Sequence, residues 1–273
     1  MRRIDPRVTH RRPELSQHYL RDATVARSLV RRMRLPPGAL VVEPGAGDGR
    51  LTAALADAGH RVVAIEMDAE LHARLRARFA GRANIECVRA DFIEFGLPST
   101  PYCVASNVPY SITAAVMRKL LHAARPPDVA ALIVQREAAQ KFAGAPCETL
   151  FALLHKPWFE IEVVATVPRR DFAPPPRVHS ALLRIERRAV PLVAARDAGR
   201  YRSLTSAAFT YGLWRALRRE LTPRHIKRLA RDHRFATDAP ASHLSFSQWL
   251  AIFRFVEHEC LGHDPTLRMW VAA

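Results

Sequence analysis

Residues 40–52 read LVVEPGAGDGRLT: an apolar run closed by Glu43, a turn over Pro44–Gly49, and a helix start at Arg50. A short apolar run ended by glycines, then Leu51 and Leu55 four apart, is the pattern of a buried strand entering a helix that stops at Gly59. The alternation repeats on both sides. Leu20, Val25, Leu29 and Val30 fit a helix entered near Asp22; strands are expected over Leu40–Glu43, Arg61–Glu66, Ile85–Asp91, Tyr102–Asn107 and Ala130–Gln135. Helices are expected between them over Arg50–Ala58, Asp68–Phe79 and Ser111–His122. Such alternation predicts an α/β fold, a parallel sheet covered on both faces. Glu160–Thr166 and Val178–Ile185 would complete the sheet as a hairpin around the proline-rich loop Arg169–Arg177. Beyond Arg188 only helical patterns remain, at Tyr201–Thr210, Leu213–Glu220, Pro223–Phe235 and Ser245–Cys260. Trp249, Phe253 and Val256 mark the core face of the last. The expected organisation is a basic flexible arm over 1–15, an α/β domain over 16–188 and a small all-helical basic domain over 189–273.

Composition narrows the partner. The chain has 273 residues, 49% apolar and 25% charged, which excludes a disordered, collagen-like or coiled-coil protein. No run approaches the roughly 18 apolar residues of a membrane helix, so no membrane span is expected. The 42 Lys and Arg exceed the 26 Asp and Glu by 16. Only four of the 42 are Lys, and Asn84 and Asn107 are the only asparagines, as in an arginine-rich coding bias; such a bias swaps Lys for Arg but creates no net charge. A surplus of this size predicts a polyanionic partner, nucleic acid ahead of an anionic membrane. Between Arg177 and Arg234 there are 15 Lys and Arg against four Asp and Glu, a local surplus of 11. Arg215, Arg218, Arg219, Arg224, Lys227, Arg228 and Arg231 recur there at helical spacing. Arg2, Arg3, Arg7, Arg11 and Arg12 of the arm read equally as phosphate contacts or as a solvated tail. Cys87, Cys103, Cys147 and Cys260 form no C-x-x-C pair and read as reduced, mostly buried thiols of a cytoplasmic protein. No apolar stretch follows Met1-Arg2-Arg3, so no secretory signal is expected. The spacing of His225, His233, His243, His258 and His263 matches no ligand pattern, and no metal is expected.

The glycine turn exposes backbone and a helix N-terminus to a ligand. A dinucleotide would call for G-x-G-x-x-G; Gly45, Gly47 and Gly49 are spaced G-x-G-x-G, and Glu43 beside them suits an ammonium, not a pyrophosphate. Glu66, 21 residues after Gly45, ends the second strand where it can accept hydrogen bonds from ribose hydroxyls. Asp91-Phe92 offers a carboxylate for an adenine amine and a ring to pack on the base. An ammonium, a ribose and an adenine without phosphate describe S-adenosylmethionine. The fourth strand ends in Asn107-Val108-Pro109-Tyr110. The lone pair of an adenine N6 amine is delocalised into the ring; acceptors at both of its hydrogens would draw the nitrogen toward a tetrahedral geometry. The Asn107 side-chain oxygen and the Val108 carbonyl, aimed by Pro109, can be those acceptors, and Tyr110 can stack an extruded base.

Ser16–Leu20 (SQHYL), Glu43–Thr52, Ile65-Glu66, Asp91-Phe92, Asn107–Tyr110 and Phe172–Leu183 (FAPPPRVHSALL) together resemble the rRNA adenine-N6 methyltransferases. That family holds the Erm resistance enzymes and the housekeeping small-subunit rRNA dimethyltransferases. The resemblance covers residues 14–188 and is nearer the Erm branch, since Ser16 and Val108 stand where the housekeeping branch has Gly and Leu. It implies a Rossmann-like class I S-adenosylmethionine-dependent methyltransferase sheet. It also implies cofactor contacts from His18, Leu20, Gly45, Gly47, Glu66, Asp91 and Asn107, with Asn107 and Tyr110 catalytic. His18 departs from the more frequent Asn, so the implied contact there is through its backbone. The implied reaction is SN2 methyl transfer to N6 of one adenine of 23S rRNA, single-stranded or extruded near a hairpin in the peptidyl-transferase region. Macrolide, lincosamide and streptogramin B resistance would follow. A monomer is expected; a housekeeping small-subunit dimethyltransferase and a non-catalytic RNA-binding assembly factor are the alternatives. Arg136, Lys141 and Arg170 lie at the expected active-site edge and are candidate RNA contacts.

Overall fold

The computed structural model describes residues 18–261. The expected basic arm, Ser16, Gln17 and His263 lie outside them. A seven-stranded sheet has the order β4-β3-β2-β5-β6-β9-β7. Its strands are β2 (Leu40–Pro44), β3 (Arg61–Glu66), β4 (Ile85–Arg89), β5 (Cys103–Asn107), β6 (Val129–Gln135), β7 (Phe159–Val167) and β9 (Ser180–Arg187). Neighbours from β4 through to β6 are parallel; β9 runs antiparallel between β6 and β7. The expected hairpin is therefore present, inserted with its second strand inside the sheet. A separate two-stranded ribbon pairs β1 (Tyr19–Leu20) with β8 (Phe172–Ala173).

Strand alternation explains the two layers. Successive side chains point to opposite faces, and here both faces are covered. Val41, Cys103, Ala105, Ala131 and Leu182 pack with α1 (Ala23–Met33), α2 (Arg50–Asp57) and α3 (Ala69–Arg78). Val42, Val104, Leu132, Val134 and Leu183 pack with α4 (Thr113–Leu121) and α5 (Arg136–Ala143). Asp22 opens α1 by accepting from the backbone N–H groups of Thr24 and Val25. A third core unites α7 (Ala198–Tyr211), α8 (Leu213–Leu217), α9 (Pro223–Asp232) and α10 (Phe246–Leu261) around Tyr201, Trp249, Phe253 and Val256. It also takes in Leu153 of α6 (Leu150–His155), whose carbonyl accepts from the Tyr201 hydroxyl.

The structure adds α5 and α6, which the periodicity did not announce. Arg136–Ala143 buries only Ala139, Phe142 and Ala143, and Leu150–His155 is too short to separate a helix from a buried strand by pattern. Cys103 is buried as expected, but Cys147 is exposed on the loop between α5 and α6 and Cys87 is only half-buried. The expectation of mostly buried thiols fails there because that loop carries its cysteine outside the core.

Candidate active site

The carboxyl ends of β2, β3, β4 and β5 open onto a cleft of about 230 Å³. His18, Leu20, Gly45, Gly47, Glu66, Asp91, Asn107 and Tyr110, every site residue expected from the sequence, line it. Its floor is the turn after β2. Gly45 and Gly47 have φ of +65° and +56°, a region that L side chains rarely adopt. A Cβ at Gly47 would stand 2.7 Å from Cε1 of Tyr19, so close packing as well as backbone geometry requires glycine there. The Gly47 N–H donates to Glu66 Oε2 and the Asp68 N–H to Glu66 Oε1, both at 2.9 Å. These bonds pin the carboxylate while each oxygen keeps a second lone pair for a ligand.

Glu43 lies beneath the turn, 2% exposed, with Oε2 lacking a hydrogen-bond partner among the described residues. Burial pushes its pKa up to about 8; Thr52 opposes the shift, and the negative charges of Asp48 and Glu66 add to it. Asp91 accepts from the Ile93 N–H at 2.8 Å. The turn it begins is tied down by Lys119 of α4, which donates to the Ile93 and Phe95 carbonyls at 2.7 Å and sits 5.4 Å from the Phe92 ring centroid.

At the end of β5, Asn107 Nδ2 donates to the His18 carbonyl at 2.7 Å. A carbonyl can only accept, so the amide nitrogen faces His18 and Oδ1 remains the acceptor available to a ligand. The Val108 N–H donates to the Ile133 carbonyl, and Ser106 Oγ donates to the Pro44 carbonyl at 2.7 Å, joining the ends of β5 and β2. Tyr110 opens a short 3-10 turn; its hydroxyl lies 2.6 Å from Ser180 Oγ. Burial raises the phenol's pKa, the Ser180 hydrogen bond opposes the rise and Glu137 adds to it, so the hydroxyl stays protonated at neutral pH. Overhead, β1 lies on β8, and Arg50 Nη1 donates to the Leu20 carbonyl at 2.7 Å.

Sequence reasoning missed Lys119, Arg50 and Ser180 as site supports. Arg50 and Ser180 carried a signal, their places in Glu43–Thr52 and in FAPPPRVHSALL; Lys119 carried none. Among the described residues no group of three or more His, Cys, Asp or Glu could hold a metal ion. No described helix is long and apolar enough to cross a membrane.

The basic tract divides once its partners are known. Arg184 is buried against Glu186 and Glu162; Arg187 pairs with Asp128, and Arg231 with Asp232. Arg219 and Arg228 lie over the rings of Tyr211 and Phe255. Arg215, Arg224 and Lys227 are exposed, and no carboxylate among the described residues stands within ion-pair distance of them.

The chain matches the family model for ribosomal RNA adenine dimethylase over residues 8–258. It is 36% identical over 249 residues to an rRNA adenine N-6-methyltransferase of Streptomyces fradiae, a match covering 89% of this chain and 78% of that one. It is 33% identical over 254 residues to the mycinamicin-resistance protein MyrB of Micromonospora griseorubida, covering 92% and 81%. The crystal structure of the 23S rRNA methyltransferase ErmE superposes with a TM-score of 0.82 at 32% identity, covering 88% of this chain and 99% of that chain.

Proposed function

From the premise that the chain belongs to the ribosomal RNA adenine dimethylase family and is an rRNA adenine-N6 methyltransferase, we propose that its substrate is one adenine of 23S rRNA, and that methylating it confers macrolide, lincosamide and streptogramin B resistance. The cofactor that family and fold imply is S-adenosylmethionine, and the cleft fits it. Glu43 holds a buried oxygen without a partner, and a cationic ammonium beside the turn would favour its ionised form over the protonated one that burial imposes. The turn at Gly45 and Gly47 leaves bare backbone beside it. Glu66 has lone pairs to spare for ribose hydroxyls, and Asp91 and Phe92 suit an adenine. Leu20 of β1 and His18 just before that strand close this site. When bound, the cofactor supplies an electrophilic methyl group on a sulfonium.

The chain's own residues handle the nucleophile. Asn107 Oδ1 and the Val108 carbonyl accept the two hydrogens of the target amine, which localises its lone pair on nitrogen. Tyr110, its hydroxyl anchored on Ser180, presents a ring face to the extruded base. The methylated amine is acidic enough to lose its proton to water. The single observation that carries this reading is the Asn107–His18 hydrogen bond, because it turns the amide oxygen, not the nitrogen, to the target. The helical domain over 189–273, with Arg215, Arg224 and Lys227, would grip RNA phosphates beside the basic arm over 1–15; Arg136, Lys141 and Arg170 would add contacts at the cleft edge. The reading takes the chain as a monomer in the cytoplasm.

The choice of the large-subunit RNA is supported by the likeness to ErmE and MyrB. Incubation with labelled cofactor and protein-free 23S rRNA should label one adenine. Transfer only to small-subunit particles would overturn the choice of substrate in favour of the housekeeping reaction. RNA binding without transfer to either would indicate an assembly factor.

A further inference from the structure

We infer that the side chain of His18 positions the groups that face the target adenine: it anchors the backbone carbonyl that orients Asn107 and backs one face of Tyr110. The inference rests on the reading of Asn107 and Tyr110 proposed above. Three observations lead to it.

The first concerns the ribbon over the cleft. Strand β1 pairs Tyr19 with Ala173 and Leu20 with Phe172, so the next pair in register would join His18 to Pro174. Hydrogen-bonded pairs alternate along an antiparallel ribbon, and the Arg21 N–H donates to the Asp171 carbonyl, so the His18–Pro174 position is a non-hydrogen-bonded one and no backbone bond joins the two residues. The side chain makes the connection that the backbone does not: His18 Nδ1 lies 3.0 Å from the Pro174 carbonyl. A carbonyl only accepts, so Nδ1 carries the proton of this bond.

The second is that the same residue's carbonyl receives the Asn107 amide at 2.7 Å. Two hydrogen bonds thus pass through one residue, from the loop after β8 to the last residue of β5. They span sequence separations of 156 and 89 residues. The imidazole bond fixes the residue that carries this carbonyl, just outside the two-residue strand β1, and so fixes the acceptor that Asn107 meets.

The third is the ring contact. The His18 and Tyr110 centroids are 5.9 Å apart with an interplanar angle of 39°. That separation is filled by a single aromatic contact, so no base enters between the rings. His18 backs one face of Tyr110 and leaves the other to the adenine, while Ser180 holds the hydroxyl end.

The test compares two substitutions in the full-length chain. His18→Phe keeps an aromatic ring and removes the donor; His18→Asn removes the ring but sets an amide donor near the position of Nδ1. Transfer to 23S rRNA should show kcat lowered about tenfold by His18→Phe, because small displacements of reacting groups cost rate more than binding. The KM for RNA should stay within about twofold, as should the calorimetric Kd for S-adenosylmethionine, which also reports that each variant is folded. His18→Asn should recover a large part of the lost kcat. Equal loss in both variants, an unchanged kcat in His18→Phe, or a cofactor Kd that weakens in step with kcat would each overturn the inference. Failure of the underlying reading shows separately: Asn107→Ala would then methylate like the parent enzyme, whatever residue stands at 18.

Discussion

Replacing Asn107 by Asp exchanges one NH2 group for one oxygen, and the site registers that exchange twice. The His18 carbonyl, now opposite the Asn107 nitrogen, would face a second acceptor, and the freed side chain would no longer hold its remaining oxygen at the target amine. Asn107→Asp should therefore lower kcat about 10²-fold while RNA binding in a gel-shift assay is unchanged. A loss of RNA affinity with kcat intact would contradict the role assigned to Asn107. Glu43 gives a prediction of a different kind. Its folded-state pKa of about 8 stands above its ordinary 4.5, so between those values the folded protein holds a proton that the unfolded chain has released. Stability must then fall as pH rises through that window. Glu43→Gln has no such proton to lose. Urea denaturation without cofactor should show its stability relative to the parent rising from pH 5 to pH 8, and a pH-independent difference would refute the assignment. At this scale the strand-end residues Glu66, Asp91 and Asn107 were legible because polar groups closing apolar runs stand out. Ser180 as the anchor of Tyr110 was not, since the two are 70 residues apart and a serine after a strand turn has many ordinary uses.

Among the elements, α1 ties the ribbon over the cleft to the sheet. It follows β1 directly and buries Ala26, Leu29, Val30 and Met33. Its N-terminus depends on Asp22, which accepts from two backbone N–H groups at 2.9 Å. Asp22→Ala should cost about 1 kcal/mol of stability, read as a lower urea midpoint with unchanged slope. A changed slope would show that more than the cap had been lost. This helix and its cap were legible, as were the long amphipathic helices and the apolar strands, because their patterns persist over several turns or alternate cleanly. The ribbon of β1 and β8 was not. Two residues cannot show a period, and their pairing exists only because β8 arrives beside β1 after about 150 intervening residues. The helix α6 was illegible for a related reason: six residues, LFALLH, are apolar on nearly every side.

For the whole molecule the surplus of 16 positive charges bears on affinity more than on choice of target. Counterion release makes RNA binding weaken with salt in proportion to the phosphates neutralised. Replacing Arg215, Arg224 and Lys227 together by Gln should flatten the slope of log affinity against log salt by about 2 to 3, at roughly 0.7–0.9 per contact. The methylated position should not move, because phosphate contacts position and base contacts specify. An unchanged slope would show that these three side chains do not meet RNA. The sequence by itself determined the alternating α/β plan, the glycine turn, the acids at or just past the ends of successive strands and the size of the charge surplus. These are local patterns, carried by residues within a few positions of one another. Only the tertiary structure decided which arginines are spent on carboxylates and rings, that Glu43 is buried deeply enough to hold its proton, and that His18, Asn107 and Pro174 share a chain of hydrogen bonds. Those properties depend on which distant segments pack together and how far water is excluded between them, and neither can be read from order along the chain.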